Sequence, residues 1–389
     1  MIFIFLVFLN VVYSLGSQSL AIHPDAHRTT QEMAIAHGYW CKNYTVATPD
    51  GYLLTLFRIQ PLSKDSADVT PRSLRRPLIL QHGLLDTSDT YLINENPSLA
   101  YMMADEGFDV WLPNFRGNRY SRRHILYDPK TNPLFWEFSV DEIISIDLRC
   151  IIEFIVKTTG YEQIHYIGHS MGAGSIIAAA SEDPAFYGSH LRSVVALSPA
   201  TCLIHSGFFA HFVRQFPFEL PFESRAGELY IHDATHKVLM ETCHFSPSAC
   251  VFGLNAALGA GRTVNKKKME VLVARAPDST SSNVLRHLLQ QTEKPGFFHF
   301  RRPLHGDPRI PYNLAKFPSE EVPIFLVGSK DDRMVSYMDV RWLTNTLNVT
   351  GHVAAHKEYE EIGHISYMIP TVESEECYRD LINFVTKHD

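Results

Sequence analysis

Ile164-His165-Tyr166-Ile167-Gly168-His169-Ser170-Met171-Gly172-Ala173-Gly174-Ser175-Ile176-Ile177-Ala178-Ala179-Ala180 sets one serine between two different kinds of segment. Residues 164–167 are a short apolar run of the kind that forms a buried strand. Residues 173–180 are small and apolar and read as a tightly packed helix. The five residues between them follow the pattern G-x-S-x-G. In a strand–turn–helix context this pattern places the serine hydroxyl above a sheet edge, at the N-terminus of a helix. The flanking glycines let strand and helix approach without a Cβ clash. The context separates this match from a chance glycine turn.

Outward from Ser170, the same kind of apolar run recurs at Tyr52–Ile59, Pro77–Gln81, Asp109–Leu112, Val194–Leu197 and Ile324–Val327. Helix-like stretches lie between several of them, at Ser98–Glu106 and Asp141–Val156, and a last one covers Val372–His388. Short apolar strands alternating with helices predict an α/β fold, with a mostly parallel sheet covered by helices on both faces. The alternation fails between Thr201 and Lys316. There Phe208, Phe209, Phe212, Phe216, Phe218 and Phe222 crowd together, and Lys266-Lys267-Lys268 follows. We expect an inserted, mainly helical segment at 201–316 capping a core of 17–200 and 317–389. Most of these phenylalanines are expected to pack as the insertion's own core, some lining an apolar substrate pocket. The lysine run is expected to be a solvated face.

The chain has 389 residues, 45% hydrophobic and 20% charged, a globular composition with enough length for a large core. A net charge of −7 with interspersed signs excludes a typical nucleic-acid binder. Twenty histidines permit work at acid pH without requiring it. Residues 1–13 are almost wholly apolar, too few to span a bilayer, and Ser14-Leu15-Gly16 follows as a small-x-small cleavage pattern. This reads as a signal peptide over 1–16, and hence as a secreted or lysosomal protein without a stable membrane span. Two sequons, at Asn43 and Asn348, fit that route. Cys243 and Cys250 are the one close cysteine pair; their spacing matches no zinc or redox motif, so a local disulfide is expected. The other cysteines suit buried thiols.

A nucleophilic serine requires a base, an acid to orient the base, and donors for the developing oxyanion. In chain order the acid and histidine follow the serine. His364, on the Gly363-marked loop before the last helix, is the candidate base. The candidate acid follows the strand at 324–327, where Asp331 and Asp332 compete. Asp332 is preferred for its spacing to Val335. The oxyanion donors should be the backbone N–H groups of Met171 and, after the early strand 77–81, of Leu84 beside Gly83. His82 receives no chemical role. No H-E-x-x-H or phosphate-loop pattern occurs, and no metal or organic cofactor is expected.

Taken together, these residues resemble the acid lipase family, which includes gastric and lysosomal acid lipases on the α/β-hydrolase fold. The likeness covers most of the chain: Thr48-Pro49-Asp50-Gly51-Tyr52, Leu80-Gln81-His82-Gly83-Leu84-Leu85, Gly107-Phe108-Asp109-Val110-Trp111-Leu112, Asn114-Phe115-Arg116-Gly117-Asn118, Phe135-Trp136-Glu137-Phe138-Ser139 and the Ser170 motif. Carried over by position, the family's triad falls on Ser170, Asp332 and His364, and its oxyanion donors on Leu84 and Met171. Many relatives carry Gln where this chain has Met171; only the backbone N–H is needed there. The insertion matches poorly apart from Ala276-Pro277-Asp278-Ser279-Thr280-Ser281, and the close cysteine pair resembles the family's cap disulfide. The resemblance implies a serine lipase acting on neutral lipids at an oil–water or membrane interface. A narrower carboxylesterase, or a non-catalytic lipid-binding protein on the same scaffold, are the alternatives.

Overall fold

The computed structural model describes residues 22–62, 75–94, 98–207, 224, 226–230, 233–258, 268–301, 309–348, 355–369 and 372–389. The leader at 1–16, the six phenylalanines between 208 and 222, Lys266 and Lys267 lie outside them. Among the described residues there are ten strands: β1 (Tyr39–Ala47), β2 (Leu53–Pro61), β3 (Pro77–Gln81), β4 (Asp109–Pro113), β5 (Ile164–His169), β6 (Leu191–Leu197), β7 (Glu228–Leu229), β8 (Thr280–Ser281), β9 (Ile324–Ser329) and β10 (Ala355–Tyr359). Eight of them form one sheet in the order β1-β2-β4-β3-β5-β6-β9-β10. The β1/β2 and β2/β4 pairs are antiparallel and every later pair is parallel.

The strands are apolar at consecutive positions because the sheet is buried on both faces. Ile79, Trp111, Tyr166, Val194, Ala196 and Leu326 enter one core. Their neighbours Leu78, Leu80, Val110, Leu112, Ile167, Val195 and Leu197 enter the other. This is the period-two signature of a strand covered by helices above and below. Helices α1 (Thr30–Ala36) and α2 (Leu99–Asp105) cover the second face. Helices α3 (Leu148–Thr159), α4 (Met171–Glu182) and α5 (Pro184–His190) cover the first.

Between β6 and β9 the chain leaves the sheet. Its described part holds α6 (Asp233–Phe245), α7 (Pro247–Leu258), α8 (Met269–Arg275), α9 (Ser282–Gln290) and the two-stranded β7–β8 sheet. A disulfide joins Cys243 to Cys250 across the α6–α7 turn, while Cys41, Cys202 and Cys377 are buried free thiols and Cys150 is half-buried. The chain returns to the sheet at β9, passes through α10 (Tyr337–Asn348) to β10, and closes with α11 (Val372–Lys387).

Two local details add to the sequence reading, and one expectation, for Lys268, needs correction. The lead segment before β2 carries α1 and β1; a capping box, with Thr29 and Glu32 each satisfying the other's backbone, starts α1. The helix expected over 141–156 forms without a gap, as a turn at Val140–Glu142, a π-helical turn at Ile143–Asp147 and α3. Lys268 is buried, not solvated, because the N-terminal segment folds over α8 and brings His23 Nε2 within 3.1 Å of its Nζ.

The π-helical turn places Asp147 against Arg116 on the loop after β4. Arg116 is buried, and its guanidinium holds Asp147 through Nε at 2.9 Å and Nη2 at 2.5 Å, and Asp50 through Nη1 at 2.6 Å. Breaking a buried pair leaves a desolvated carboxylate without its counter-charge. Arg116→Leu should therefore lower unfolding free energy by about 3–5 kcal/mol, read from urea midpoints. A change below about 1 kcal/mol, the surface-pair range, would show that this network does not hold the loop.

Candidate active site

The parallel strands end together, and the loops that leave their C-terminal ends meet above β5. Ser170 follows β5 directly and has φ +55° and ψ −118°. An L-residue rarely adopts this geometry, and the surroundings enforce it: the Ser170 N–H donates to the Leu197 carbonyl at 2.9 Å, and the Ala200 N–H donates to the Ser170 carbonyl at 3.0 Å. Gly172 is required two residues on, since a Cβ there would lie 2.6 Å from the His82 carbonyl oxygen. Helix α4 begins at Met171, whose N–H is among the amides that a helix's first turn leaves unused.

His364 comes from the loop after β10 and Asp332 from the loop after β9. The Ser170 Oγ lies 3.0 Å from His364 Nε2, and His364 Nδ1 lies 2.8 Å from Asp332 Oδ2. A carboxylate only accepts, so Nδ1 carries the proton and Nε2 is left to accept from the serine hydroxyl. Asp332 Oδ1 accepts from the N–H groups of Met334 and Val335 at 2.8 and 2.9 Å, which fixes the carboxylate. Asp331, half-buried one residue earlier, is not part of this chain of hydrogen bonds. Ser170, Asp332 and His364 are all buried. The arrangement can deprotonate the hydroxyl, stabilise the imidazolium that forms, and return the proton to a leaving group.

Leu84 lies on the loop after β3, where Gly83 stands so close to Ser170 that a Cβ would sit 3.0 Å from Ser170 Cβ. The next residue, Leu85, is held at φ +55°. From the insertion, the Asp278 N–H donates to the Leu85 carbonyl at 2.7 Å, and the Asp278 carboxylate pairs with Arg119. Ser279 Oγ donates to the Gly117 carbonyl at 2.6 Å. The 276–281 segment thus fastens the loop that carries Leu84.

Two histidines that the sequence left without a role sit in this shell. His169 Nε2 donates to the His364 backbone carbonyl at 3.0 Å, tying the nucleophile turn to the base loop. Burial holds its imidazole well below the ordinary histidine range, so it stays neutral. Its place as the first x of G-x-S-x-G was the available signal. His82 is the other. Asn43 is exposed on β1, and Asn348 ends α10 with the rest of its sequon outside the described residues. Among the described residues no helix is long and apolar enough to cross a membrane.

A family model described as the alpha/beta hydrolase fold matches residues 76–370, and one described as a partial alpha/beta-hydrolase lipase region matches residues 30–95. The chain is 29% identical over 384 residues to gastric triacylglycerol lipase of Rattus norvegicus, covering 94% of this chain and 93% of that one. It is 28% identical over 392 residues to lysosomal acid lipase/cholesteryl ester hydrolase of Homo sapiens, covering 96% and 94%. Its fold is similar to that of a thermophilic esterase from Thermogutta terrifontis, with a TM-score of 0.51 at 13% identity, over 89% of this chain and 99% of that one. The chain belongs to the α/β-hydrolase family, is similar over most of its length to gastric and lysosomal acid lipases, and is a carboxylic ester hydrolase.

Asp332→Asn should lower kcat by about 10³–10⁴, because the amide donates to Nδ1 and forces the wrong imidazole tautomer. Asp331→Asn should leave kcat within a few-fold. Steady-state kinetics on a soluble ester decide this, and the reverse ranking would move the acid by one residue.

The Asp86 carboxyl, beyond Leu85, gives the site a pH signature. Removal from water pushes it up to about 8, and the nearby Asp89 and Asp278 add to the push against the Thr87 N–H that it accepts at 2.8 Å. Between about pH 4, where the group ionises in the unfolded chain, and about pH 8, the folded state binds the extra proton. Its contribution is complete below about pH 4 and is lost as pH rises to about 8. Melting temperature should fall across that window less steeply in Asp86→Asn than in wild type. Equal slopes would remove Asp86 from the account.

Proposed function

We propose that the protein is a secreted or lysosomal lipase that hydrolyses neutral-lipid esters through an acyl-enzyme on Ser170. The observation that carries this reading is the unbroken relay from Ser170 Oγ to His364 Nε2 at 3.0 Å and from His364 Nδ1 to Asp332 at 2.8 Å. Ser170 Oγ attacks the ester carbonyl while its proton passes to Nε2. The carbonyl π electrons move onto oxygen, and the N–H groups of Leu84 and Met171 stabilise that oxyanion. Collapse breaks the ester C–O bond, and the departing alcohol takes the proton from His364. Water then adds to the acyl-enzyme with His364 again as base, releasing the fatty acid and restoring the serine.

The substrate class is inferred from the relatives named for triacylglycerol and cholesteryl ester hydrolysis. Residues 201–316 are assigned as a cap over the C-terminal strand ends, with the substrate taken from a lipid–water interface. The apolar leader at 1–16 is assigned as the signal peptide.

The test compares wild type with Ser170→Ala on emulsified long-chain triacylglycerol, a sterol ester and a soluble short-chain ester. Ser170→Ala should lose at least about 10⁴-fold in rate on every ester while keeping its melting temperature. Serine-dependent hydrolysis of the emulsion is the expected result. Turnover of the short ester alone would replace the lipase reading by that of a narrower esterase, and folded protein without turnover would leave a lipid-binding role.

A further inference from the structure

His82 ends the run Leu80-Gln81-His82-Gly83 and is buried against the loop after β4. Its two ring nitrogens meet two backbone groups of opposite character. Nδ1 lies 2.9 Å from the Gly83 carbonyl oxygen, which can only accept. Nε2 lies 3.1 Å from the Phe115 backbone nitrogen, whose N–H can only donate. One neutral tautomer satisfies both, with the proton on Nδ1. The Asn118 amide adds a second, longer donor to Nε2 at 3.3 Å, and the Phe115 ring packs edge-on against the imidazole.

The Gly83 carbonyl belongs to the same planar peptide unit as the Leu84 N–H. In a trans peptide the two bonds point in opposite directions. Fixing the carbonyl toward the imidazole therefore fixes the Leu84 N–H away from it. Gly83 has no side chain to hold this plane, and Leu85, the residue after Leu84, sits at a strained φ of +55°. Without the imidazole the peptide can rotate and carry the N–H with it.

We propose that His82 is a positioning residue that aims the Leu84 N–H at the oxyanion, with its ring orientation locked by the Phe115 N–H. This rests on the reading of Leu84 as an oxyanion donor. It requires an imidazole that stays neutral in an acid medium. Burial lowers His82 to about 4. The other titratable ring near it is His169, itself held neutral by burial, and among the described residues no charged side chain hydrogen-bonds to His82. Protonation would put an N–H on Nε2, facing the N–H of Phe115, and release the lock.

The experiment compares wild type, His82→Phe and His82→Asn on a soluble ester, with Ser170→Ala alongside. His82→Phe keeps the ring shape and loses the donor. Its kcat should fall about 10–100-fold with KM nearly unchanged, since a misaimed oxyanion donor weakens the transition state and not substrate binding. Inhibition by a trifluoromethyl ketone, whose serine adduct carries the oxyanion, should weaken by the same factor. His82→Asn keeps a donor near the Nδ1 position and should recover most of the rate. Because Asn does not titrate, the ratio of His82→Asn to wild-type kcat should rise as pH falls through about 4. Wild-type kcat and inhibitor affinity in folded His82→Phe would overturn the proposal, as would loss of rate through KM alone. If His82→Phe fails to fold, a His82→Asn ratio that is flat with pH overturns it. Retained activity in Ser170→Ala would instead remove the underlying mechanism, which keeps the two failures distinct.

Discussion

The backbone of Ser170 is the constraint around which the rest is arranged. A non-glycine residue at φ +55° costs on the order of 1–3 kcal/mol and survives only where its neighbours leave no alternative. Here the alternatives are closed by hydrogen bonds to Leu197 and Ala200 and by the close passage of α4 beneath the His82 carbonyl. The result is a hydroxyl raised above the strand end, beside the first amide of α4. Folding energy gathered in the two cores is spent locally on a turn that would not form alone.

The surrounding shell is built from neutral imidazoles and backbone groups to an unusual degree. His169 holds the carbonyl of the residue that carries the base, and His82 holds the carbonyl next to the oxyanion loop. Both are buried and neutral, while the formal charges are set further out, at Arg116 with Asp147 and at Arg119 with Asp278. Hydrogen bonds between neutral groups set this geometry without a counter-charge. Asp86 works in the same direction, since its carboxyl prefers the protonated form.

Much of this was legible in the chain. The runs at 77–81, 109–112, 194–197 and 324–327 are strands because a doubly covered sheet demands apolar residues on both alternations. Ser170, His364 and the pair at 331–332 could be picked out by order and loop position. Which aspartate accepts from the histidine could not be derived from spacing alone; it depends on the turn that aims Oδ1 of Asp332 at the Met334 and Val335 amides. β1 was not legible because, as the sheet's edge strand, its apolar run stops at Cys41 and is followed by the exposed Lys42, Asn43 and Thr45. The π turn at Ile143–Asp147 was hidden because it widens a single turn of a helix that continues on both sides, too short a stretch to show in the apolar pattern. The insertion was legible only as a loss of alternation, since helices that pack on one another in a small body carry no strand-helix rhythm.

The insertion leaves the sheet at the end of β6 and returns at the start of β9, and these two strands are hydrogen-bonded neighbours. The points of departure and return are thus held roughly 10–15 Å apart by the sheet itself, whatever lies between them. Closing a longer or shorter excursion across that gap changes the free energy only slowly with its length. The excursion also reaches back, with Asp278 on the loop that carries Leu84, Val284 and Leu288 in one core and Val271 in the other, so these anchors must stay when the rest is rebuilt. Between those anchors the segment can change in length while the serine, the histidine and the aspartate keep their places.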